Sequence, residues 1–265
     1  MTIAAGFKCR DGVLLCADSQ ITSDQGKTYQ AKIFGINKPA GVYLTYCGSV
    51  LFAKELVDVL RESLKGDPGK SAAKKVRKIY QHFHHRHYTQ PKKAEKSFAD
   101  ILITLRDEDQ ALLYHASGRH FLLVDTYQPL GIGREYGESL FAPFYNKTMT
   151  RTEAGYLAIY ALWKIKAYVH GCGGRTHIRE VLDDPGILPA PRWLAEADLK
   201  RIEADYEFFE KAVYPLIPIF PNRQIGRTDF QACLTHTVRV LKKHRAQSLR
   251  GRDLTMIGTW FDAYR

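Results

Sequence analysis

Short apolar runs bounded by turn residues predict β-strands along much of the chain. The Asp11-Gly12 and Ser117-Gly118 pairs between neighbouring runs are turn signals, which favour hairpins and therefore antiparallel sheets. The sequence predicts eight strands, at residues 3–7, 13–17, 32–36, 42–47, 99–105, 111–116, 119–125 and 176–182.

Apolar residues spaced three or four positions apart predict helices in the remaining segments. Phe52 and Leu56 begin such a stripe after Ser49, a residue type that caps helix N-termini, and Thr150-x-x-Glu153 is a capping box. Helices are expected at residues 49–64, 71–87, 150–169, 194–213 and 229–246.

The order of these elements predicts the fold class. Strands, two helices, strands, two helices and a final helical segment follow one another along the chain. Hairpin-linked strands with helices grouped in pairs favour two sheets whose outer faces are covered by helices. We therefore expect an α+β fold, a four-layer αββα sandwich. We expect a single domain over 1–265, with the core sandwich at 2–182 and a C-terminal helical extension at 183–265 packed on it, which begins with a proline-rich loop at 183–192.

Positive charge is concentrated in two segments of the chain. The net charge of +11 includes +8 from residues 65–96 and +6 from residues 239–252, which leaves −3 for the rest. No nucleic-acid-binding signature accompanies these segments, and solvated helix faces or contacts between subunits explain them. Nucleic-acid binding is therefore the less favoured alternative.

No apolar run approaches the ~18 residues of a membrane-spanning helix, which excludes such a helix. The first residues lack the charged and apolar regions of a secretory signal. The cysteines are odd in number and far apart, at Cys9, Cys16, Cys47, Cys172 and Cys233. This pattern favours reduced thiols in the cytoplasm over a disulfide framework or a zinc site.

A histidine-rich stretch in the predicted helix at 71–87 raises the question of a metal site. His84 and His87 are three positions apart and can share a helix face, but they have no cysteine or acidic partner nearby in the sequence. A solvated helix end, with histidines near its C-terminal dipole, explains the stretch better. We expect no metal ion here.

Thr2 is the first candidate for chemistry. A chain that begins at Thr2 after removal of Met1 carries a hydroxyl and a free α-amine on one residue, and that amine, with a pKa of about 8, can act as the general base. Asp18 ends one predicted strand, Lys32 starts another, and Gly48 follows a third just before a helix. A buried Lys–Asp pair lowers the pKa of a neighbouring hydroxyl, and a glycine amide at a helix N-terminus can stabilise an oxyanion.

These residues lie in three stretches of sequence, which read T-x5-KxRDGVLLCADSxxT, AKIF and CGS. In these stretches the chain resembles the β-type subunits of the proteasome and the bacterial HslV peptidase, which are N-terminal nucleophile hydrolases. The resemblance is clearest over residues 2–60 and is traceable to about residue 182. It implies the four-layer αββα sandwich reached above.

The resemblance also implies catalytic roles. Thr2 is the implied nucleophile and its amine the base. Lys32 is implied to tune the nucleophile and Asp18 to hold Lys32, while the Gly48 amide stabilises the oxyanion.

Thr22, expected in the loop after the second strand, and Ser49 match positions that line the family's substrate cleft, where backbone groups grip an extended peptide as an added strand. The implied substrate is a peptide or an unfolded protein. The implied assembly is a homo-oligomer, a ring or a related arrangement. The sequence does not indicate an ATPase partner, and the mechanism requires no metal or organic cofactor.

The family pattern is broken where groups support the nucleophile from behind. The serine of a family Gly-Ser-Gly is Ile132 here, and the Asp and Ser of a later motif are Val169 and Cys172. Loss of such supporting groups slows catalysis or changes its proton path. Two alternatives to a threonine peptidase therefore stay open. One is a non-peptidase amidase or acylase with the same nucleophile, and the other is a catalytically weak proteasome-like assembly protein with a basic surface for nucleic acid or a partner.

Overall fold

The structure, a computed structural model, describes residues 2–23, 26–65, 72–88, 99–107, 109–184, 196–213, 232, 235–240 and 243. The chain divides into two compact units, Met1–Lys200 and Arg201–Arg265. All the strands and the first four helices named below belong to the first unit.

Within the described residues, the strands are β1 (Ile3–Cys9), β2 (Gly12–Asp18), β3 (Gln20–Ser23), β4 (Gly26–Tyr29), β5 (Ile33–Asn37), β6 (Val42–Gly48), β7 (Ala99–Asp107), β8 (Gln110–Ser117), β9 (His120–Leu123), β10 (Tyr127–Gly131) and β11 (Thr176–Leu182). The helices are α1 (Val50–Ser63), α2 (Ala72–Tyr88), α3 (Arg134–Phe141), α4 (Arg151–Tyr168) and α5 (Glu196–Val213). All eight predicted strands and the helices predicted at 49–64, 71–87, 150–169 and 194–213 are thus present, with small shifts at their ends.

Two antiparallel sheets form the centre of the first unit. One has the strand order β10-β1-β2-β11 and the other the order β5-β6-β7-β8-β9, while β3 and β4 form a separate ribbon. In the first sheet Ala4 pairs with Ala17, which brings the start of β1 beside the end of β2. This register determines which residues meet at the edge of the sheet.

Three apolar clusters show that the sheets and helices form four layers. Helices α1 and α2 cover the second sheet, where Leu56 and Tyr80 pack with Ile103 in one cluster. Helices α3 and α4 cover the first sheet and place Leu162 in a cluster with Phe7. The third cluster lies between the sheets, with residues of β2, β7 and β8 among its members. The α+β four-layer sandwich expected from the sequence is confirmed.

The caps predicted for two helices are present. Ser49 caps α1 and accepts a hydrogen bond from the Phe52 amide at 3.3 Å. Thr150 and Glu153 form the capping box at the start of α4, since each side chain bonds the other residue's backbone amide. Helix N-termini leave unpaired amides, so these side chains determine where the helices begin.

Four elements lie outside the predicted set, namely β3, β4, β10 and α3. β4 is a four-residue strand, Gly-Lys-Thr-Tyr, whose residues are all exposed, and so short a stretch has no alternation of apolar and polar positions to predict it. β10 contains Pro129, which cannot donate a ladder hydrogen bond and is tolerated because β10 is an edge strand. The expectation that Thr22 lies in a loop is wrong, because Thr22 belongs to β3. Lys32 directly precedes β5 rather than starting it.

The expectation of a solvated histidine end is wrong in part. His84 of α2 is buried, and burial lowers its pKa. The Nε2 atom of His87 lies 3.1 Å from a carboxylate oxygen of Glu55, an acidic partner that comes from α1 and is distant in sequence. In the described part of the chain, no group of three or more His, Cys, Asp and Glu side chains could hold a metal ion.

Several expectations about the C-terminal part fall wholly or partly outside the described residues. Of the loop predicted at 183–192, only Asp183 and Asp184 are described. Of the helix predicted at 229–246, the described residues are 232, 235–240 and 243, and all of them are helical. The single domain over 1–265, with its extension packed on the sandwich, stays a prediction.

The four cysteines that the structure describes, Cys9, Cys16, Cys47 and Cys172, are buried free thiols, and Cys233 lies outside the described residues. Of the helices in the described ranges, none is both long enough and apolar enough to cross a membrane.

Candidate active site

The register of β1 and β2 brings Thr2 and Asp18 together. Thr2 directly precedes β1 and Asp18 is the last residue of β2, and antiparallel pairing places both at the same edge. The Thr2 hydroxyl donates a hydrogen bond to Oδ1 of Asp18. The backbone amide of Ile3 donates to the same oxygen at 3.2 Å. A carboxylate is therefore fixed against the hydroxyl by the hairpin itself.

Lys32, the residue directly before β5, completes the cluster. Its ammonium donates to the hydroxyl oxygen of Thr2, to Oδ1 of Asp18 at 2.5 Å and to the carbonyl oxygen of Gln20. A lysine ammonium has three protons, so these acceptors use its full capacity. Thr2, Asp18 and Lys32 are all buried, at 3%, 0% and 1% exposure.

The electrostatics of this cluster favour an activated hydroxyl. Burial lowers the pKa of Lys32 below its usual 10.5, and the neighbouring Asp18 carboxylate opposes that shift. A cation in hydrogen-bond contact with a hydroxyl stabilises the alkoxide, and does so more strongly away from water. The arrangement can therefore make the Thr2 oxygen a nucleophile.

Gly173 holds the other side of the Asp18 carboxylate. Its backbone amide donates to Oδ2 of Asp18 at 2.9 Å. The Gly173 carbonyl accepts from the backbone amides of Ser19 at 3.3 Å and Gln20 at 3.0 Å. The turn before β11 thus fixes the segment that supplies two of the three acceptors for Lys32.

Two thiols lie within electrostatic range of Lys32 without competing as nucleophiles. Burial raises the pKa of Cys172 to about 12, and the Asp18 carboxylate acts in the same direction. Burial likewise raises the pKa of Cys47 to about 12. Because only a thiolate is strongly nucleophilic, both side chains are inert near neutral pH.

The backbone of residues 131–133 contacts the carbonyl group of Thr2. Gly131 has φ +93°, and a Cβ at this position would collide with the Thr2 carbonyl oxygen. The Gly133 amide donates to that oxygen at 3.4 Å. Between the two glycines, Ile132 is 49% exposed. Position 131 therefore requires glycine for two reasons. Any Cβ would collide with the Thr2 carbonyl, and φ lies in the left-handed region that disfavours side chains.

Gly48 and Ser49 lie where β6 meets α1. Gly48 ends the strand with φ +102°, and Ser49 is the N-cap of the helix. The neighbouring Cys47 places its Cβ 3.3 Å from the position of a Cβ on Gly131. The end of β6 is therefore next to the backbone that contacts Thr2. The positive end of the α1 dipole adds to the attraction for an anion there.

Thr22 is connected to the cluster through Gln20. The side-chain amide of Gln20 donates to the hydroxyl of Thr22 at 3.1 Å, and both residues belong to β3. Gln20 is absent from the candidates drawn from the sequence. Its carbonyl group acts on Lys32, and a backbone group leaves no signature in a residue pattern.

The proteasome subunit family model matches residues 2–176 of this chain. The proteasome subunit alpha of Methanococcus maripaludis is 30% identical over 172 residues, which cover 62% of this chain and 64% of the relative. The proteasome subunit alpha of Methanococcus vannielii is 29% identical with the same coverage. The match thus spans just under two thirds of the length of these curated relatives.

Two solved structures share the fold. Anbu (ancestral beta-subunit) from Yersinia bercovieri has a TM-score of 0.65 at 12% identity, covering 85% of this chain and 98% of that one. The Anbu (Gly-1) mutant from Hyphomicrobium sp. strain MC1 has a TM-score of 0.64 at 12% identity, covering 81% of this chain and 97% of that one. At this identity the likeness concerns the fold alone.

Proposed function

Because the chain belongs to the proteasome subunit family, with the sandwich fold of the N-terminal nucleophile hydrolases, we propose that it is a threonine peptidase with Thr2 as its nucleophile. The observation that carries this proposal is the buried contact between the Lys32 ammonium and the Thr2 hydroxyl. A buried ammonium with a hydroxyl as one of its three acceptors is costly as mere structure and useful for activating an oxygen.

In the proposed mechanism the mature chain begins at Thr2. The free α-amine takes the hydroxyl proton while the Thr2 oxygen forms a bond to the carbonyl carbon of the peptide. Lys32 stabilises the developing alkoxide, and Asp18 keeps the ammonium in place. The α-ammonium then gives its proton to the leaving amine as the C–N bond breaks. A water molecule hydrolyses the resulting ester and restores the hydroxyl.

We propose that the Gly48 amide stabilises the negative charge that forms on the carbonyl oxygen. Gly48 directly precedes the cap of α1, so the positive end of the helix dipole supports an oxyanion at this place. Loss of such a donor typically slows catalysis by about a hundredfold or more.

Peptides are the proposed substrates because a strand edge lies beside the nucleophile. In the described residues β3 pairs with β4 along one side. On its other side the backbone groups of Gln20 are taken by Gly173 and Lys32, so an added strand would pair with β3 beyond Gln20. Thr22 on β3 and Ser49 at the start of α1 would line the two walls of this cleft. Hydrolysis of small N-acyl amides in preference to peptides would favour the non-peptidase amidase or acylase instead.

We propose a homo-oligomer, a ring or a related assembly, because members of this family assemble in that way. Light scattering coupled to gel filtration measures the number of subunits, and a monomer would contradict this part. No ATPase partner is proposed. The buried free thiols support a reducing compartment such as the cytoplasm.

A second candidate function is supported by the exposed face of α2. The exposed residues of this helix include no carboxylate, and its cations are Lys74, Lys75, Arg77, Lys78 and Arg86. A basic surface of this kind suits a polyanion or an acidic partner. Salt-sensitive retardation of generic DNA or RNA in a gel, abolished by charge reversal at Lys74 and Lys78, would support this candidate over a peptidase alone.

Intact-mass spectrometry with a β-lactone or a peptide epoxyketone tests the proposed peptidase. The expected result is a chain that begins at Thr2 and gains one covalent adduct, while Thr2→Ala gains none and Thr2→Ser retains part of the reaction. Retention of the residue before Thr2 together with no adduct would contradict the proposal. An adduct on a cysteine rather than on Thr2 would also contradict it.

A further inference from the structure

Gln20 contacts the catalytic cluster through its backbone. Its carbonyl oxygen is one of the three acceptors of the Lys32 ammonium, and its amide donates to the carbonyl of Gly173 at 3.0 Å. Neither contact depends on the glutamine side chain. Truncation of that side chain therefore leaves the acceptors of Lys32 in place.

The side chain of Gln20 points toward the other end of β3. Its Nε2 atom donates to the hydroxyl oxygen of Thr22 at 3.1 Å. Gln20 is 4% exposed, so this amide is held within the protein. One residue thus bonds both the ammonium beside the nucleophile and a residue proposed to line the peptide cleft.

Gly173 provides the space in which the Gln20 amide lies. A Cβ on Gly173 would collide with Oε1 of Gln20 and would lie 3.2 Å from Cδ of the same side chain. The φ of Gly173 is outside the left-handed region, so the backbone itself accepts alanine. A methyl group at this position would therefore force the Gln20 side chain to move.

We propose that Gln20 is a positioning residue that joins the catalytic cluster to the peptide cleft, and that its side chain is held in place by packing against Gly173. This inference rests on the proposed function. The backbone carbonyl of Gln20 fixes Lys32. Its side-chain amide, packed against Gly173, fixes Thr22 and with it the edge of β3 that receives the peptide. The two contacts of this single residue therefore determine the distance between the nucleophile and the cleft.

The test is a double-mutant cycle of Gln20→Ala, Gly173→Ala and both together, with Gln128→Ala as the matched control. Gln128 lies on β10 and donates its side-chain amide to the Pro129 carbonyl. Peptide hydrolysis gives KM and kcat, and hydrogen exchange followed by mass spectrometry reports the backbone amides of β3. Intact-mass labelling of the wild type runs in parallel.

Gln20→Ala is expected to raise KM about fivefold, the effect of one lost hydrogen bond, with kcat unchanged. Gly173→Ala is expected to reproduce this increase and to speed exchange in β3 by the same factor. The double variant should equal either single variant, because both remove one contact. Gln128→Ala should change none of these quantities.

Additive effects of the two substitutions, or unchanged exchange in Gln20→Ala, would overturn the positioning role. A fall in kcat without a change in KM would overturn it too. If the wild type hydrolyses no peptide and takes no label, the proposed function fails. The exchange rates of β3 then still decide whether Gln20 and Gly173 act as one unit.

Discussion

The ammonium nitrogen of Lys32 lies 2.5 Å from Oδ1 of Asp18, and these side chains are 1% and 0% exposed. An ion pair so completely removed from water is expensive to desolvate, and its loss on one side leaves a buried charge without a counter-ion. The pair is therefore a sensitive point for both the stability of the fold and the reactivity of Thr2.

Replacement of one member of this pair should destabilise the protein more than replacement of both. Lys32→Met is expected to lower the free energy of unfolding by about 3–5 kcal/mol, because the Asp18 carboxylate stays buried and uncompensated. Adding Asp18→Asn removes that charge and should recover part of the loss. Urea unfolding of the two single variants and the double variant measures the coupling.

The control for this cycle is Lys54→Met, which changes an exposed lysine of α1. It is expected to alter the free energy of unfolding by less than about 0.5 kcal/mol. Strictly additive losses for Lys32 and Asp18 would mean that the two side chains are not energetically coupled.

Peptide hydrolysis by Lys32→Ala is expected to fall by several orders of magnitude wherever that variant remains folded.

The stability contribution of Lys32 should rise with pH. Burial lowers its pKa in the folded protein below 10.5, while the unfolded chain keeps the ordinary value. Between the lowered pKa and 10.5 the unfolded state therefore binds more protons than the folded state, and the free energy of unfolding increases with pH in that window. Above about 10.5 the contribution should be constant.

Urea unfolding of the wild type and Lys32→Met from about pH 7 to about pH 10.5 measures this linkage. The wild type should gain free energy of unfolding relative to Lys32→Met as the pH rises. Titrating groups that the two proteins share affect both alike and drop out of this difference. Lys54→Met should follow the wild type throughout. A difference that moves the other way would show that attraction to Asp18 outweighs burial and that the pKa is raised.

Gly131→Ala should disturb Thr2 beyond the cost of backbone strain. Both Gly131 and Gly26 have φ values that disfavour side chains, at +93° and +124°, but a Cβ on Gly26 would meet no atom within 4 Å. Gly26→Ala therefore measures strain alone, about 1–2 kcal/mol. Gly131→Ala should cost more and should also slow labelling by a β-lactone about a hundredfold, the effect of a misplaced nucleophile.

Labelling rates and urea unfolding of the two alanine variants provide the comparison. Equal losses of stability with equal labelling rates would show that the Thr2 carbonyl tolerates a displaced 131–133 segment. That result would mean that Gly131 does not help to position Thr2.

Much of this architecture could be predicted from the sequence because it has a local signal. The apolar stripe of α1 and its cap at Ser49 are visible in the pattern, and both are present. β4 has no such signal, because its residues are all exposed and, among the described strands, it pairs with β3 alone. The burial of His84 likewise depends on packing, which a residue pattern on one helix does not contain.

The candidate site divides in the same way. The residue types and the resemblance to a family both point to Thr2, Asp18 and Lys32, and these residues do lie in contact, although their roles stay proposals. Gln20 and Gly173 contribute through backbone groups, and Gly173 also through the room that its missing side chain leaves. Such contributions depend on the fold rather than on residue type. A sequence identifies side-chain chemistry far more readily than the carbonyls and amides that hold it.

Ile132→Ser should raise the rate of acylation, because it returns a hydroxyl to the place where the family has a serine. Ile132 is half exposed and lies between two glycines that contact the Thr2 carbonyl. Loss of its side chain should therefore have little effect on the free energy of unfolding. A hydroxyl that hydrogen-bonds the amine or oxygen of Thr2 is expected to speed β-lactone labelling about five- to tenfold.

The matched control is Leu122→Ser, which replaces a similarly exposed apolar residue on β9. It should leave the labelling rate unchanged, so an increase seen in both variants would point to general loosening of the surface. An increase confined to Ile132→Ser means that the chain lacks a supporting group its fold can still accommodate. An unchanged rate means that this chain activates Thr2 through Lys32 and Asp18 without help from a hydroxyl at position 132.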